Sequence, residues 1–394
     1  MLKTSDLFFR ILLGLSGLGL VGCSTIDRWL SENPPRRSFQ ARADWITQGP
    51  AKTNLQFRKV NRFTPLLYQH PQFGQIIIQA NAIDGLTAMT TSDGNVVWRR
   101  PLLNGIEAGG VLQKDKLLVG ASDGQFYSIS VNTGDIQWSF PTRIETISEP
   151  SLEENLVIFL SGANTLYALD IDSGKQVWLY TRQDTQAISV RGGSKPAVKA
   201  GTAYVGFADG AVVALNSKTG ALKWERQLNR NKRFRDVDSD PLIDGEFLFV
   251  SSFDNAIYCL RSATGEVVWK SEKGAFGTPL MVGDTVYFAS TGGESQALDR
   301  SSGKKKWAFP IEDGIATGAR TYKGLLVFGE SRGDLHFLDA VTGNPVGHFS
   351  PGKGIMSTPV VDEKSDRIYF ISGEANVYAV KVAWKNAAAI SYLK

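Results

Sequence analysis

A short phrase recurs through the sequence at nearly constant spacing: a glycine followed four residues later by a tryptophan. Its six copies are Gly94/Trp98, Gly134/Trp138, Gly174/Trp178, Gly220/Trp224, Gly265/Trp269 and Gly303/Trp307. A seventh copy keeps Gly343 and has Gly347 where the tryptophan belongs. The glycines are separated by 40, 40, 46, 45, 38 and 40 residues. A period near 40 with strand-like content is typical of a propeller or solenoid array, so we expect one repeat domain to span most of the chain.

Each period reads as four short strands. In the third unit, alternation of apolar and polar residues predicts strands at 147–152 and 165–170, and an apolar run predicts one at 156–161. A fourth strand, at 176–180, follows the Ser173-Gly174 turn, and all four are rich in β-branched and aromatic residues. The glycine suits a tight hairpin turn, which needs a residue that accepts positive φ. The tryptophan suits a blade that must bury its face on the next one, because an indole covers a large area.

The count of units predicts a ring of eight blades. Seven complete units lie between about 64 and 350, and an eighth has strands ending at 361, at 367–372 and at 376–382. No glycine–tryptophan hairpin follows, so we expect residues 41–47 to supply the missing fourth strand, with Trp45 in place of the absent tryptophan. The predicted fold is therefore all-β: an eight-bladed β-propeller of four-stranded antiparallel blades, closed by pairing an N-terminal strand with the C-terminal blade.

The first residues resemble a bacterial lipoprotein signal. Lys3 and Arg10 precede an apolar run at 11–21, which is about half as long as a bilayer span requires. The ending Leu20-Val21-Gly22-Cys23 resembles the lipoprotein cleavage box, which implies that Cys23 becomes acylated and N-terminal. Ser24 follows where inner-membrane retention usually requires Asp, so outer-membrane sorting is favoured. The alternative is an ordinary secretory signal with an incidental cysteine.

These segments predict four parts of the chain: a signal peptide at 1–22, a lipidated tether at 23–40, the propeller at 41–384 and a C-terminal tail at 385–394. The tether contains Pro34-Pro35-Arg36-Arg37, and adjacent prolines favour an extended conformation. A tether is the preferred interpretation, and a short basic patch that touches anionic headgroups is the alternative.

Composition argues against several classes of site. The net charge is +4 from 43 basic and 39 acidic residues, with no concentrated basic block, so nucleic-acid binding is not expected. Cys23 and Cys259 are too few for a disulfide framework, and Cys259 is predicted to be a buried thiol. The three histidines, at 70, 336 and 348, lack metal-ligand spacing. We therefore predict no metal, no cofactor and no small-molecule substrate.

Two matches to the Gly-x-Ser-x-Gly pattern of hydrolases centre on Ser122 and Ser331. Both fall between the second and third strands of a unit, not at the strand–turn–helix junction that a nucleophile elbow requires. The fourth unit has Ala208 at the same phase. The serine is thus dispensable to the repeat, and we predict no catalytic residue.

The two long intervals of the repeat indicate a binding face. Since strand lengths stay constant, the extra residues should lie in the connections between the third and fourth blades, 183–195, and between the fourth and fifth, 229–240. Such connections emerge on one face of a propeller, so the two enlarged loops should be neighbours, and oversized loops of a repeat array often bind partners.

The composition of these loops also favours binding. The first carries Ile188, Val190 and Arg191, and the second carries a basic run at 230–235 followed by Asp236 and Asp238. Apolar groups beside Arg and acids are typical of a protein-binding hot spot. The alternative is structural: Ile188 and Val190 tuck under the loop while Arg191 pairs internally with Asp236.

Over nearly its whole length the chain resembles the BamB family, the propeller lipoproteins of the outer-membrane β-barrel assembly (BAM) machinery. Ile188-Ser189-Val190-Arg191-Gly192 and Asp236-Val237-Asp238 match the family's Leu-Ser-Leu-Arg-Gly and Asp-Val-Asp segments. The resemblance implies that Ile188, Val190, Arg191, Asp236 and Asp238 bind the periplasmic (POTRA) domains of the barrel-inserting, BamA-type subunit. Ile and Val in place of Leu conserve the side-chain volume closely.

The resemblance implies a non-catalytic scaffold that assists folding and insertion of β-barrel proteins. It would be anchored to the outer membrane by lipid on Cys23, with the propeller facing the periplasm, and would associate with other members of the assembly complex. The first alternative is a periplasmic quinoprotein (PQQ-dependent) dehydrogenase, which shares the blade phrase but typically has adjacent cysteines that this chain lacks. The second is an envelope scaffold with a different partner.

Overall fold

The computed structural model describes residues 37–49, 61–146, 148–182, 193–228, 236–237, 239–252 and 256–386. Throughout these ranges the regular elements are 32 β-strands, arranged in eight separate sheets of four antiparallel strands each. This part of the chain contains no helix that is long and apolar enough to cross a membrane. The predicted all-β architecture of eight four-stranded blades is confirmed.

Blades 1 to 4 follow one another along the chain. Within each blade the four strands lie side by side in chain order, from the first strand to the fourth. Their strands are β2 (Leu66–His70), β3 (Gly74–Asn81), β4 (Gly85–Thr90) and β5 (Val96–Pro101); β6 (Gly110–Gln113), β7 (Lys116–Gly120), β8 (Gln125–Ser130) and β9 (Ile136–Pro141); β10 (Ser151–Glu153), β11 (Leu156–Ser161), β12 (Thr165–Asp170) and β13 (Gln176–Thr181); and β14 (Ala197–Lys199), β15 (Thr202–Gly206), β16 (Ala211–Asn216) and β17 (Leu222–Gln227).

Blades 5 to 8 repeat the arrangement, and the last takes its outermost strand from the beginning of the chain. Their strands are β18 (Leu242–Asp244), β19 (Phe247–Ser251), β20 (Ile257–Arg261) and β21 (Val267–Ser271); β22 (Ala275–Val282), β23 (Thr285–Ser290), β24 (Glu294–Asp299) and β25 (Lys305–Pro310); β26 (Arg320–Tyr322), β27 (Leu325–Gly329), β28 (Leu335–Asp339) and β29 (Pro345–Phe349); and β30 (Val360–Asp362), β31 (Arg367–Ile371), β32 (Val377–Asn386) and β1 (Arg37–Thr47).

The recurring glycine and tryptophan join neighbouring blades. Gly174 has φ = 69°, and a Cβ added to it would lie 2.6 Å from the indole of Trp138 in the preceding blade. The Trp138 indole Nε1 donates a hydrogen bond to the carbonyl oxygen of Ile171, 3.0 Å away in the same hairpin as Gly174. The equivalent indole bonds run to the carbonyl oxygens of Thr91, Val131, Ser217, Ser262, Arg300 and Ala340. Each of the six complete copies of the phrase therefore receives one indole and sends its own to the next blade, whereas the seventh copy, at Gly343, receives the Trp307 indole and has none to send.

The hydrophobic core lies between blades. One cluster joins Ile158, Leu166 and Trp178 of blade 3 to Val205 and Phe207 of blade 4, all of them buried. Comparable clusters join blades 4 and 5, blades 5 and 6, and blades 6 and 7. Because a four-stranded blade is thin, its two faces are buried only when both neighbours are present.

Closure of the ring follows the predicted arrangement. In blade 8, β1 pairs with β32, so the sheet order is β1-β32-β31-β30. Trp45 donates from Nε1 to the carbonyl oxygen of Thr91 at 3.0 Å and packs where a Cβ on Gly94 would come within 2.7 Å. The Arg367 guanidinium binds the Asp44 carboxylate at 2.6 and 2.7 Å. Trp45 therefore occupies the position that the missing blade-8 tryptophan would have filled.

Two compact units are distinguished in the described chain. Residues 41–382 form the propeller, and residues 37–40 with 383–386 form a second unit. The second unit consists of the N-terminal end of β1 and the C-terminal end of β32. Both strands are longer than the segments 41–47 and 376–382 that the alternation of the sequence predicts.

Candidate docking face

Most of the residues predicted to bind a partner lie outside the described ranges. These are Ile188, Val190, Arg191 and Asp238, and the predicted lipidation site Cys23 lies outside them as well. Asp236 is described, and its side chain is fully buried. What the structure describes is how the two enlarged connections begin and end.

The first enlarged connection leaves blade 3 at an ion-pair cluster. The Arg182 guanidinium binds the Asp209 carboxylate at 2.6 Å and the Glu225 carboxylate at 2.8 Å, both in blade 4. It also lies over the ring of Phe207, 5.5 Å from its centroid. Burial acts to lower the pKa of Arg182, but the bonds to Glu225 and Asp209 outweigh it and raise the pKa. Arg182 is thus a permanent cation that fixes the start of the loop to the next blade.

The ends of the two enlarged connections are bonded to each other. The Ser194 hydroxyl donates to the carbonyl oxygen of Ser239 at 3.1 Å, and the Lys195 amide donates to the Asp240 carboxylate at 2.7 Å. Ser194 closes the first loop and Ser239 the second, so the two loops reach the innermost strands side by side. The expectation that they are neighbours is confirmed at these ends.

The Asp-Val-Asp segment is packed closely on blade 4. The Val237 amide donates to the carbonyl oxygen of Phe207 at 3.2 Å, and Val237 is buried. A Cβ on Gly206 would lie 2.3 Å from the Val237 carbonyl oxygen, so only glycine at 206 permits this approach. The described part of the segment is therefore a support that holds the end of the second loop, and a contact of Asp236 with a partner stays a prediction.

A second recurring motif, Ser/Thr-x-Pro, positions the inner ends of the connections. Ser148, Ser194, Ser239 and Ser357 each accept a hydrogen bond from a backbone amide of their own blade's second strand, at 2.6 to 3.2 Å. Thr317 does the same at 2.9 Å in blade 7, where Ala319 replaces proline. The sequence carries this signal two residues before Pro150, Pro196, Pro241 and Pro359. The glycine–tryptophan phrase does not include these hydroxyl groups, so the expectations drawn from it missed them.

A cavity of about 110 Å³ lies where the inner ends of all eight blades meet. Its wall includes Glu149 and Asp240, and the Lys195 ammonium group binds the Glu149 carboxylate. Thr278 donates to the other oxygen of Asp240. Burial raises the pKa of Asp240, and the bonds from Thr278 and Lys195 offset part of that effect. These contacts join blades 3 to 6 around the axis.

The size of this cavity can be compared with that of the cofactor pocket that a quinoprotein dehydrogenase requires. Pockets for cofactor-sized ligands usually measure roughly 300–1,000 Å³. The axial cavity, at about 110 Å³, is smaller than that range. In the described ranges, no three His, Cys, Asp or Glu side chains come together in a way that could hold a metal ion.

Ser331, from one of the Gly-x-Ser-x-Gly matches, and the buried Cys259 both have environments that fit a structural role. The Ser331 hydroxyl accepts a hydrogen bond from the Ile315 amide at 3.0 Å, which fixes a loop of blade 7. Cys259 is fully buried, and burial raises the pKa of its thiol to about 12. A thiol with that pKa is almost wholly protonated near neutral pH, so it is a poor nucleophile.

Exposed apolar side chains occur on the same set of connections. Leu103, after blade 1, is 75% exposed, and Ile144, after blade 2, is 43% exposed. In the connections after blades 5, 6 and 7 the exposed side chains are charged or polar, namely Glu272, Lys273, Glu312, Asp313, Ser350 and Lys353. The apolar exposure is thus concentrated in the two blades that precede the enlarged loops.

Rigid turns hold both side chains in solvent. The Gly105 amide donates to the carbonyl oxygen of Leu102 at 3.0 Å, and Asn104 has φ = 63°, as in a type II turn with Leu103 at its tip. Beside Ile144, Arg143 has φ = 66°, and the Thr142 hydroxyl donates to the Ile144 carbonyl oxygen at 2.7 Å. Backbone constraint of this kind pre-organises a surface for binding.

A family model described as "Outer membrane protein assembly factor BamB" matches residues 83–309. Among curated proteins bearing that same name, the one from Shewanella oneidensis is 26% identical over 341 residues, which cover 81% of this chain and 84% of that protein. The one from Yersinia pestis is 24% identical over 400 residues, covering 94% of this chain and 98% of that protein.

Two solved structures illustrate the likeness in fold. The crystal structure of BamB from Moraxella catarrhalis superposes with a TM-score of 0.70 at 22% identity, covering 85% of this chain and 99% of that one. A europium-containing methanol dehydrogenase reaches the same TM-score of 0.70 at 13% identity, covering 86% and 93%. At such low identity the superpositions show the propeller fold alone, which an assembly factor and an oxidoreductase share.

Proposed function

The chain belongs to the BamB family of outer membrane protein assembly factors, and we propose that it is a scaffold subunit of the machinery that assembles β-barrel proteins in the outer membrane. Membership of a family of assembly factors agrees with the prediction that the protein is not an enzyme. It also supports an association with the outer membrane and with the other members of the assembly complex.

The finer proposal concerns the partner. The enlarged connections after blades 3 and 4 dock on the periplasmic POTRA domains of the barrel-inserting, BamA-type subunit, with Ile188, Val190, Arg191, Asp236 and Asp238 as the predicted contact residues. The observation that carries this proposal is the hydrogen bonding between the loop ends, from Ser194 to Ser239 and from Lys195 to Asp240. These bonds support a single face to which both loops contribute.

Leu103 and Ile144 extend this face across blades 1 and 2. Each is held in solvent by a rigid turn and lies on a connection that precedes the enlarged loops in blade order. Apolar groups at the rim of a docking face are stabilised when a partner covers them, at roughly 25 cal/mol per Å² of buried apolar area. We therefore expect both side chains to contribute to affinity in addition to the five predicted contact residues.

The docking proposal is tested by measuring binding of the purified protein to the isolated periplasmic domains of the barrel-inserting subunit. Arg191→Glu should weaken binding at least about tenfold, because charge reversal at an interface converts attraction into repulsion. Ile144→Asp and Leu103→Asp should each weaken it several-fold. The matched control is Arg332→Glu, an exposed arginine on a loop of blade 7, which should bind like the wild type.

Unchanged binding of Arg191→Glu would contradict the proposed contact residues. If Arg332→Glu were as damaging as Arg191→Glu, the docking face would have to be wider than two loops and their neighbours. Loss of binding by Ile144→Asp alone would move the centre of the interface towards blade 2.

The proposed attachment is a lipid anchor. Acylation of Cys23 would hold the tether 23–40 at the outer membrane, with the propeller in the periplasm. The family name supports the outer-membrane association, and the sequence Leu20-Val21-Gly22-Cys23 supports the lipid. A dehydrogenase would instead bind pyrroloquinoline quinone with calcium and reduce a dye. The scaffold proposal predicts neither result.

A further inference from the structure

The end of the strand pair formed by β1 and β32 carries an aromatic pair that the packing of blades does not use. Residues 37–40 and 383–386, here called the ribbon end, are assigned to a different compact unit from the propeller residues 41–382. The rings of Phe39 and Trp384 meet edge to face, 5.3 Å apart at 68°. The Ser38 hydroxyl donates to the carbonyl oxygen of Lys385 at 3.4 Å and ties the two strands together beside the aromatic pair.

Trp384 differs from the tryptophans that join blades. Trp98 and Trp178 are 8% and 7% exposed, whereas Trp384 is 44% exposed, the highest value of any tryptophan in the described ranges. Its pairing with Phe39 therefore leaves nearly half of the side chain in solvent. An indole with one apolar face and a polar N–H favours a boundary between an apolar and an aqueous phase.

The charged residues of the ribbon end all have the same sign. The ribbon end contains Arg37 and Lys385 and no acidic residue, and Lys385 is exposed. Arg36 precedes it in the sequence. Tryptophan beside lysine and arginine is the composition that proteins present at the interface between water and a bilayer, where the indole lies among headgroups and the cations bind anionic lipid.

The ribbon end is also the described element nearest along the chain to the proposed anchor. Thirteen residues, 24–36, separate Cys23 from Arg37. At about 3.4 Å per residue, an extended segment of that length reaches at most about 45 Å. Anchoring of Cys23 would therefore keep the ribbon end within about 45 Å of the leaflet.

We propose that the ribbon end contacts the lipid leaflet that carries the anchor, with Trp384 among the headgroups and Lys385 on anionic lipid. The inference deepens the proposed outer-membrane attachment and rests on it. A single aromatic pair with two or three cations binds a membrane weakly by itself. Its effect is therefore to orient a protein that a lipid already tethers, since stable attachment needs more than one signal.

The test uses the mature, unlipidated chain from Ser24, which retains all eight blades because they lie within 37–386. Its co-sedimentation is measured with vesicles of phosphatidylethanolamine and phosphatidylglycerol, and with vesicles of phosphatidylcholine alone. We expect binding to the anionic vesicles that salt weakens. Lys385→Glu should reduce the partition coefficient at least about fivefold, given about 1 kcal/mol per basic residue near an anionic surface. Trp384→Ala should reduce it several-fold.

The control is Leu222→Ala, which removes another exposed apolar side chain, 52% exposed on β17, and should bind like the wild type. Failure of the wild type to bind anionic vesicles would overturn the proposal, as would equal binding by wild type and Trp384→Ala. Neither result depends on the partner subunit or on acylation of Cys23, so the docking face and the anchor are tested separately.

A second measurement covers the case in which Trp384→Ala merely frays the two strands. Trp384→Phe preserves the aromatic pair, so the fold should be unaffected. Brominated lipids quench only tryptophans that enter the bilayer, and Trp29 of the tether is present in both proteins. We expect a larger quenched fraction in the wild type than in Trp384→Phe. Equal quenched fractions would place Trp384 in water and overturn the proposal.

Discussion

The recurring glycine is under two constraints at the scale of the residue. Gly174 has φ = 69°, a conformation that costs a side-chain-bearing residue about 1–2 kcal/mol. Its Cα also lies against the indole of Trp138, where an added Cβ would come within 2.6 Å. The first constraint belongs to the hairpin, and the second belongs to the contact between blades.

These two constraints can be separated by substitution. Gly201→Ala changes a turn glycine with φ = 72° and nothing within 4 Å of the added Cβ, so it should cost about 1 kcal/mol of unfolding free energy. Gly174→Ala adds the clash with Trp138 and should cost about 1–3 kcal/mol more. Chemical denaturation of both variants checks the difference. Equal costs would mean that the indole shifts without penalty.

Asp240 is the buried carboxyl group of the axial contacts, and burial raises its pKa above the ordinary value of 3.8. The folded state therefore holds the proton more tightly than the unfolded chain does. The resulting stabilisation is fully present below pH 3.8 and is lost as the pH rises through the raised pKa. Asp240→Asn cannot ionise and should lose this part of the pH dependence.

We expect the unfolding free energy of the wild type to fall more steeply with rising pH than that of Asp240→Asn, starting above the ordinary carboxyl pKa of 3.8. Urea denaturation at a series of pH values measures both slopes. Asp284→Asn, at an exposed acid, is the control for the loss of one carboxylate. A slope for Asp240→Asn equal to that of the wild type would show that the carboxyl group stays ionised in the fold.

At the scale of the element, the bounds of the two middle strands of a blade were predicted best. The second and third strands of blade 3 match the predicted 156–161 and 165–170. The first strand was predicted at 147–152, and the structure has Ser151–Glu153 instead. The residues before Pro150 are held by the Ser148 hydroxyl, which bonds to the backbone at Leu160 in place of a strand ladder.

The strand β1 determines whether the ring is closed. Trp45→Ala would remove the indole from Gly94 and the hydrogen bond to Thr91, and should cost about 2–4 kcal/mol of unfolding free energy. Trp384→Ala, which removes an exposed indole from the partner strand β32, should cost much less. Guanidinium unfolding of both variants measures the costs. A cost for Trp45→Ala no larger than that for Trp384→Ala would contradict its role in closure.

At the scale of the whole molecule, a closed ring of blades places the connections from each blade to the next on the same face. The enlarged loops after blades 3 and 4 and the exposed Leu103 and Ile144 all belong to connections of the same kind. The proposed docking face therefore combines residues about 40 positions apart in the sequence, as the glycine spacing implies.

The proposed lipid anchor would act on the whole molecule, and the two cysteines offer a matched pair of tests. Cys23→Ser should abolish incorporation of radioactive palmitate and remove the protein from the outer-membrane fraction. Cys259→Ser, at a fully buried thiol, should leave both unchanged. Metabolic labelling and density-gradient fractionation check these results. Palmitate incorporation in Cys23→Ser would refute the proposed site.

The sequence by itself determined the number of blades, the closure by Trp45 and the two oversized connections. These features follow from local periodicity, since each repeat must bury its faces on the next. Tertiary structure alone decided which groups meet across blades: Arg182 with Asp209 and Glu225, Ser194 with Ser239, and Phe39 with Trp384. Such pairs are distant along the chain and follow no period, because ring closure and side-chain packing bring them together.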